Sequence, residues 1–426
     1  MREWQAARLR EQLEYVAARS AFYREAFRRA GVGPEDIRTL NDLRRFPLTT
    51  KEDLQERAED FVCVSPHEVC DYGATTGTTG PPVLLPVTAR DWERMVDTTA
   101  RLVTQVGIGR GDTVQISAAF DQLFTVGMPI DLGCKRGGAA TVRMGPGNTA
   151  RQVEVLRRTR ATWIVCGAQY LLTLAAEAAS QGLDPKRDFA LKGALVLAQP
   201  IRGRGWKPNA LHRRICEVWD IDLFADYGSM EIYSGLADCP QAGGHHSVWD
   251  RHVFEVLDPE TGEPVPEGEV GELVFTHLGL EGVPLVRFRQ GDLTRMETQP
   301  CRCGRTAPRI MEMLGRTDEM LKIKDTSVYP RQIEDAILEV SGVEAYVVEV
   351  DTDEAGRDRL TIRLACAPGA DDLAARVRDR VRAQTRLTPV VCTAKIEEIV
   401  AAQNALGTRK AKTFWDRRTP HHAADL

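Results

Sequence analysis

Between Asp91 and Val218 the chain alternates two patterns. Thr113-Val114-Gln115-Ile116-Ser117, Thr162-Trp163-Ile164-Val165-Cys166 and Ala194-Leu195-Val196-Leu197-Ala198 are short apolar runs of strand length. Asp91 to Gln105, Val153 to Arg160, Tyr170 to Gln181 and Asn209 to Val218 have helical periodicity. Buried strands separated by whole helices pair in parallel, with the helices crossing over on the faces of the sheet. This stretch therefore predicts an α/β core. Before it, residues 1 to 60 read as helices: Trp4, Leu9, Leu13 and Val16 recur at helical spacing, and Leu48 to Leu54 reads as a capped helix start.

From about residue 250 the pattern changes. His252 to Leu257 alternates, Asp258-Pro259-Glu260-Thr261-Gly262 is a turn, and Gly271 to His277 is a strand, which reads as an antiparallel β-rich subdomain. After Gly315 come a helix at Gln332 to Val340, strands at Val343 to Val350 and Leu360 to Ala365, and a helix at Asp371 to Thr385. That set suits a small α+β domain. A chain of 426 residues has room for two or three such domains.

Charge and composition narrow the partners. A net charge of -5 predicts neither nucleic-acid nor membrane binding, and no apolar run approaches the roughly 18 residues of a span. The charged start, Met1 to Arg10, lacks a signal-peptide core, so a cytoplasmic protein is expected. Ten cysteines in such a chain are no disulfide framework. Cys134, Cys166, Cys216, Cys366 and Cys392 stand alone in apolar settings and read as buried thiols.

Five stretches carry chemistry. Asp71-Tyr72-Gly73-Ala74-Thr75-Thr76-Gly77-Thr78-Thr79-Gly80-Pro81-Pro82 offers four threonine hydroxyls and three glycines, suited to cradling polyphosphate through inward amides and side-chain donors, and lacks the Walker Gly-Lys-Ser/Thr. Asp226-Tyr227-Gly228-Ser229-Met230-Glu231 gives a flat aromatic face, a tight turn and a carboxylate able to hold magnesium. Pro284 to Asp292 ends in a carboxylate able to accept from two ribose hydroxyls. Gly315-Arg316-Thr317-Asp318 and Gly407-Thr408-Arg409-Lys410-Ala411-Lys412 complete the set. Each alone is also what a Thr/Gly turn, a strand end or a basic tail looks like.

In this order the five resemble the adenylate-forming superfamily. Within it the chain is similar to the phenylacetate–CoA ligase branch, on Asp258 to Gly262, Gly271-Glu272-Leu273-Val274-Phe275-Thr276 and Val328-Tyr329-Pro330 with Gln332-Ile333-Glu334. The resemblance spans nearly the whole chain. It implies an N-terminal ATP- and acid-binding domain over 1–317, with the β-rich subdomain at about 240–315, and a mobile C-terminal lid domain over 318–426. It implies that a carboxylate attacks the α-phosphate of ATP, giving acyl-AMP and pyrophosphate, and that coenzyme A then takes the acyl group. By residue, Thr75, Thr76, Gly77, Thr78, Thr79 and Gly80 would cradle the β- and γ-phosphates, Tyr227 and Gly228 would flank adenine, Glu231 would ligate Mg2+, Asp292 would hold the ribose and Arg316 would lie near ribose or phosphates. Asp318 would be the hinge. Lys410 would neutralise charge during adenylation; counting back from Asp416 favours it over Lys412.

The branch suggests an aryl or arylacetic acid, with Phe120, Phe124, Gly127 and Tyr233 as pocket candidates, although Phe120 and Phe124 are also spaced like a helix face packing in a core. Gln199 stands in the wall of the nucleotide pocket where Glu is more usual. A carrier protein and a second copy of the chain are the macromolecular partners this reading admits. Cys239, His245, Cys301 and Cys303 could complete a tetrahedral structural Zn2+ site, as at similar positions in some members of the branch; His246 is the alternative fourth ligand, and free thiols the alternative reading.

Three residues depart from the family's pattern, the first of them removing a charge on the phosphates. Pro81 stands where Lys is common, Asp325 where Gly lets the backbone pass pantetheine, and Arg409 where Gly usually precedes the catalytic Lys. An amine, nitrite or carrier-protein thiol is therefore the rival acceptor, and a silent nucleotide-binding homologue the third reading.

Overall fold

Amphipathic helices open the chain because their apolar faces find a common core. In the computed structural model, α1 (Arg2–Arg19) buries Leu9, Leu13 and Val16, while Trp4 stays exposed and meets Trp249 edge-on. The structure describes residues 1–75, 82–120, 123, 126–241, 243–323, 326–352, 357–366, 372–403 and 412–418. Ser20 caps α2 (Ala21–Ala30), accepting from the Tyr23 amide at 3.2 Å. The expected capped start is α3 (Lys51–Glu56): Thr50 and Asp53 satisfy each other's backbone amides in a capping box. The chain divides into two compact units, Met1–Met313 and Leu314–Leu426.

Two antiparallel strands, β1 (Val69–Ala74) and β2 (Leu84–Thr88), flank the Thr/Gly loop. The α/β alternation follows: α4 (Ala89–Gln105), β3 (Thr113–Ile116), α5 (Gly127–Arg136), β4 (Ala140–Arg143), α6 (Thr149–Arg158), β5 (Trp163–Gly167), α7 (Ala168–Ser180), β6 (Gly193–Leu197), α8 (Ala210–Val218), β7 (Asp222–Ser229) and β8 (Ser234–Ala237). The six strands form one sheet in the order β8-β7-β6-β5-β3-β4, parallel except where β8 turns back on β7. Strand alternation sorts their side chains into two cores. Val114, Ile116, Val165, Leu195 and Phe224 pack on one face with Leu102, Val103 and Ile130. Ile164, Cys166, Ala194, Val196, Leu223 and Ala225 pack on the other with Leu156, Leu171, Ile215 and Trp219.

The β-rich subdomain adds β9 (His245–His246), the antiparallel trio β10 (His252–Leu257), β11 (Gly271–His277) and β12 (Phe288–Thr294), and β13 (Arg309–Ile310), which pairs with β9. Its Phe275, Leu285 and Phe288 share a core with the N-terminal helices. Buried polar groups fasten the seams. Gln12 on α1 exchanges hydrogen bonds with Gly279 and Leu280, and Asp91 on α4 accepts from the amides of Glu281 and Gly282 at 2.9 and 2.8 Å. These bonds satisfy loop amides that would otherwise be buried unpaired.

The second unit holds α9 (Pro330–Leu338), β14 (Val343–Thr352), β15 (Asp358–Cys366), α10 (Leu373–Thr385), β16 (Val390–Thr393) and β17 (Phe414–Asp416), with sheet order β16-β15-β14-β17. Its core includes Ile333, Ile337, Val348, Ile362, Leu373 and Val377. The thiol expectation needs correcting: Cys134 and Cys166 are buried, but Cys366 is half-buried and Cys216 and Cys392 are exposed. An isolated Cys in an apolar neighbourhood does not reveal which face of its element it occupies.

Burial pushes the Glu334 carboxyl on α9 up to about 7, against a hydrogen bond from Thr413 that favours ionisation. A carboxyl whose folded pKa is raised binds its proton more tightly in the folded state. Its contribution therefore turns unfavourable as pH rises from the ordinary carboxylate range to about 7. Glu334→Gln should thus gain thermal stability over the wild type at pH 8 and lose most of that gain at pH 4.5, as read by the difference in thermal midpoint at the two pH values.

Candidate functional site

The C-terminal end of β7 leaves the core and carries the aromatic motif. Phe224 and Ala225 are buried, and Tyr227 follows where the strand emerges. Gly228 is there because a Cβ would stand 2.6 Å from the Ser234 carbonyl across the β7–β8 hairpin. The Tyr227 hydroxyl donates to Asp292 Oδ2 on β12 at 2.7 Å, so two motifs 65 residues apart meet. Glu231 is buried in the turn between β7 and β8. The neighbouring Met230 lies against Gly73, where a Cβ would stand 2.4 Å from its terminal methyl. The absence of a side chain at Gly73 lets β1 approach the Glu231 turn.

Thr75 closes the base of the Thr/Gly loop. Its amide donates to Val83 O and its Oγ1 accepts from the Val83 amide, both at 3.0 Å. Thr76, Gly77, Thr78, Thr79, Gly80 and Pro81 lie outside the described residues, as do Phe124, Asp325, Arg409 and Lys410. The runner-up Lys412 places its ammonium over the Trp415 ring at 4.5 Å.

Among the acid-pocket candidates, Phe120 is half-buried at the edge of the sheet core. Gly127 opens α5 under it, where a Cβ would stand 2.4 Å from Ala119 O and 3.0 Å from the Phe120 ring. Tyr233 is packed into the core shared with the N-terminal helices, its ring edge-on to His277 and its hydroxyl 3.4 Å from Pro86 O. Gln199 turns its side-chain carbonyl to the Gln169 amide near the start of α7, at 2.8 Å. In the second unit, Arg316 and Asp318 form an ion pair with each other, Nε to Oδ1 at 3.0 Å.

The cysteine cluster forms, with one change of ligand. Cys239, His246, Cys301 and Cys303 place their ligand atoms within 4.8 Å of one another. His245, the expected fourth ligand, does not join them. β9 sends its two side chains to opposite faces, and only His246 faces the sulfurs. Cys239 Sγ lies 3.6 Å from Cys301 Sγ, and Cys303 Sγ 3.2 Å from His246 Nε2. The first distance is far beyond a disulfide's roughly 2 Å. Both approximate the edges of a tetrahedron whose centre is about 2.3 Å from sulfur and about 2.0 Å from nitrogen. The Cys303 amide donates to Cys301 Sγ at 3.5 Å, and Arg305 Nη1 to Cys303 Sγ at 3.5 Å. Burial opposes thiolate formation at Cys303, but the hydrogen bonds from Arg305 and the neighbouring thiols outweigh it and bring the pKa down to about 7. The donor set fits a tetrahedral, thiolate-preferring ion.

A buried polar clamp lies behind the aromatic motif, and no sequence pattern announced it. Asp238, 1% exposed, accepts from Arg202 Nε and Nη2 at 3.2 and 3.0 Å and from Trp206 Nε1 at 3.1 Å. Burial pushes its carboxyl up to about 6 against the pull of Arg202. Glu312, also buried, accepts from the Gly205 amide at 2.7 Å and holds the Arg202–Trp206 turn. Trp206 crosses close over Gly243, where a Cβ would stand 2.2 Å from the indole and where φ is +73°. His245 packs edge-on to Trp206 at 4.9 Å, and burial pushes its imidazole down to about 3, so it is neutral. Asp226 was missed as well: its carboxyl lies over Gly235, and burial pushes it up to about 7. Such partners come together only through the sheet, so their sequence signal is slight.

Comparison with known proteins follows the same lines. The AMP-binding enzyme family matches residues 2–281, and the AMP-binding enzyme C-terminal domain matches residues 326–418. A phenylacetate-coenzyme A ligase of Pseudomonas putida is 35% identical over 344 residues, 80% of this chain and 76% of that protein. Its counterpart in Thermus thermophilus is 35% identical over 347 residues, again 80% and 76%. A crystal structure of a 2-hydroxyisobutyryl-CoA ligase in the postadenylation state with 2-HIB-AMP matches with TM-score 0.86 at 26% identity, covering 97% of this chain and 88% of that one.

Removing one partner of a buried ion pair leaves the other charge uncompensated, at a cost of about 3 kcal/mol or more. Arg202→Ala should therefore lower unfolding stability by about that amount in urea titration, whereas the exposed pair Arg158–Glu154 should cost under about 1 kcal/mol when broken by Arg158→Ala.

Proposed function

The chain belongs to the AMP-binding enzyme family, in its phenylacetate–CoA ligase-like branch, and on that premise we propose that it activates an aromatic, aryl or arylacetic, acid with ATP and passes the acyl group to coenzyme A. The observation that carries the reading is the hydrogen bond from Tyr227 to Asp292 beside the buried Glu231. It brings a flat ring, a carboxylate and a second carboxylate to the C-terminal end of a sheet strand, where open α/β sheets bind ligands.

In the first half-reaction the acid's carboxylate oxygen bonds to the α-phosphorus and pyrophosphate leaves. Little covalent chemistry is asked of the protein, so its work is positioning and charge neutralisation. Tyr227 offers its ring to adenine, with the hydroxyl tethered so that the ring keeps one orientation. Asp292 accepts from the ribose hydroxyls. By the family's pattern, Thr75 and the loop through Gly80 would donate to the β- and γ-phosphates, Arg316 would serve the ribose or phosphates, and Lys410 would neutralise charge where the carboxylate meets the α-phosphate. Magnesium, held through Glu231, would supply further neutralisation of the phosphate oxygens. In the second half-reaction the CoA sulfur bonds to the acyl carbon and AMP leaves.

The aromatic preference is supported by the two phenylacetate-coenzyme A ligases and by the half-buried Phe120 above Gly127. The Cys239/His246/Cys301/Cys303 set would hold zinc in a structural role, tying the β7–β8 region to the β-rich subdomain.

Incubation with ATP, magnesium and a panel of aromatic and small hydroxy acids, with and without CoA, should yield acyl-CoA by mass spectrometry, with arylacetic or aryl acids preferred. Acyl-AMP that persists in the presence of CoA would refute the acceptor, and preference for a small aliphatic acid would refute the substrate class. Lys410→Ala should slow adenylation by about a hundredfold or more. It should leave CoA transfer from supplied acyl-AMP nearly intact, because the charge it neutralises is gone by then.

A further inference from the structure

The short strand β9 is fixed on both edges. His245 pairs with Ile310 and His246 with Arg309 on β13, and His245 bridges to Asp238 on the other side. Successive strand residues face opposite ways. His246 meets the sulfurs, with Cys303 Sγ at 3.2 Å. His245, buried at 5% exposure, turns to the other face and lies tilted against Tyr227, ring centres 6.1 Å apart. Tyr227 is in turn paired with Leu236 across the β7–β8 ladder. Behind His245 stands Trp206, edge-on at 4.9 Å and anchored through Nε1 to Asp238. His245 thus has a fixed wall on one side and the motif tyrosine on the other.

We infer that His245 is a positioning residue that couples occupancy of the Cys239/His246/Cys301/Cys303 cluster to the orientation of Tyr227, so that a metal ion in the cluster tightens binding of the adenine nucleotide. The inference rests on the reading of Tyr227 as the adenine face. A tetrahedral ion draws four ligands from three separate segments to one point and pins β9 along its length. With the ion gone, β9 keeps its ladder bonds but loses the tether one residue away from the ring that backs Tyr227. The Tyr227 hydroxyl stays on Asp292, so the freedom gained is in the tilt of the ring. Stacking on a base depends on that tilt.

The test uses the full chain with zinc as the probe metal. Zinc content, dissociation constant for ATP, KM for the acid, kcat and thermal midpoint are measured before and after chelation. The wild type should bind about one zinc per chain, and chelation should weaken ATP binding about fivefold with KM for the acid unchanged. His245→Ala should keep its zinc, bind ATP about fivefold more weakly and show no further loss on chelation. His245→Phe should restore most of the affinity, because a flat ring again backs Tyr227. His246→Ala should lose both zinc and ATP affinity. Failure of the chain to take up zinc, equal ATP affinity with and without it, or a His245→Ala variant that still responds to chelation would each overturn the inference. Tyr227→Ala separates the two levels. If it weakens ATP binding while His245→Ala does not, the coupling alone is wrong. If it binds ATP as the wild type does, the reading of Tyr227 is wrong, and the inference falls with it.

Discussion

One hydrogen bond, Tyr227 Oη to Asp292 Oδ2 at 2.7 Å, joins the helix-covered sheet to the β-rich subdomain at the point where both present polar groups. A tyrosine hydroxyl on a carboxylate is a charge-assisted bond, stronger and more directional than a neutral one. It requires β7 to leave the core at a particular residue and β12 to arrive at a particular register. The glycines nearby serve that meeting. Gly228 permits the hairpin to close, and Gly73 lets β1 approach the Glu231 turn. A side chain at either position would push apart elements that the site needs together.

Around this bond the protein buries charge and satisfies it. Asp238 with Arg202 and Trp206, Glu312 with Arg295 and the Gly205 amide, and Asp91 with two loop amides each trade desolvation for several hydrogen bonds. Such networks add little net stability compared with apolar packing. What they do is restrict alternatives: moving the turn that carries Trp206 or the loop at 279–282 would take hydrogen bonds away from the buried Asp238 and Asp91 carboxyls. The aromatic motif is thereby backed by a rigid wall, and the metal-type cluster lies one residue beyond it.

Much of this was legible in sequence because it is local. The apolar runs at Thr113, Thr162 and Ala194 became β3, β5 and β6 within a residue or so, and Asn209 and Thr50 cap the helices they precede. His252–Leu257 and Gly271–His277 are strands at the bounds expected from sequence. Helix starts were less legible. Thr149 begins α6 four residues before the apolar periodicity does, capped by Asn148 in a left-handed conformation. Trp4 ended exposed because it stands five residues before Leu9, about 140° round the helix from the core face, while Gln5 and Ala6 in the same turn are buried. The polar clamp of Arg202, Asp238 and Trp206 was invisible, since Asp238 lies more than 30 residues beyond the turn that carries Arg202 and Trp206, and none stands in a motif.

Sequence by itself determined the periodicities, the caps, the order of motifs and the set of residues able to bind a metal, because these depend on neighbours within a turn or a strand. Which of two adjacent histidines joins three cysteines depended on the face of a two-residue strand, and that face is set by pairing with Asp238 on one side and with Arg309 and Ile310 on the other. A shift of one residue would have exchanged the roles of His245 and His246. The choice was therefore a property of the sheet, and only the tertiary structure could make it.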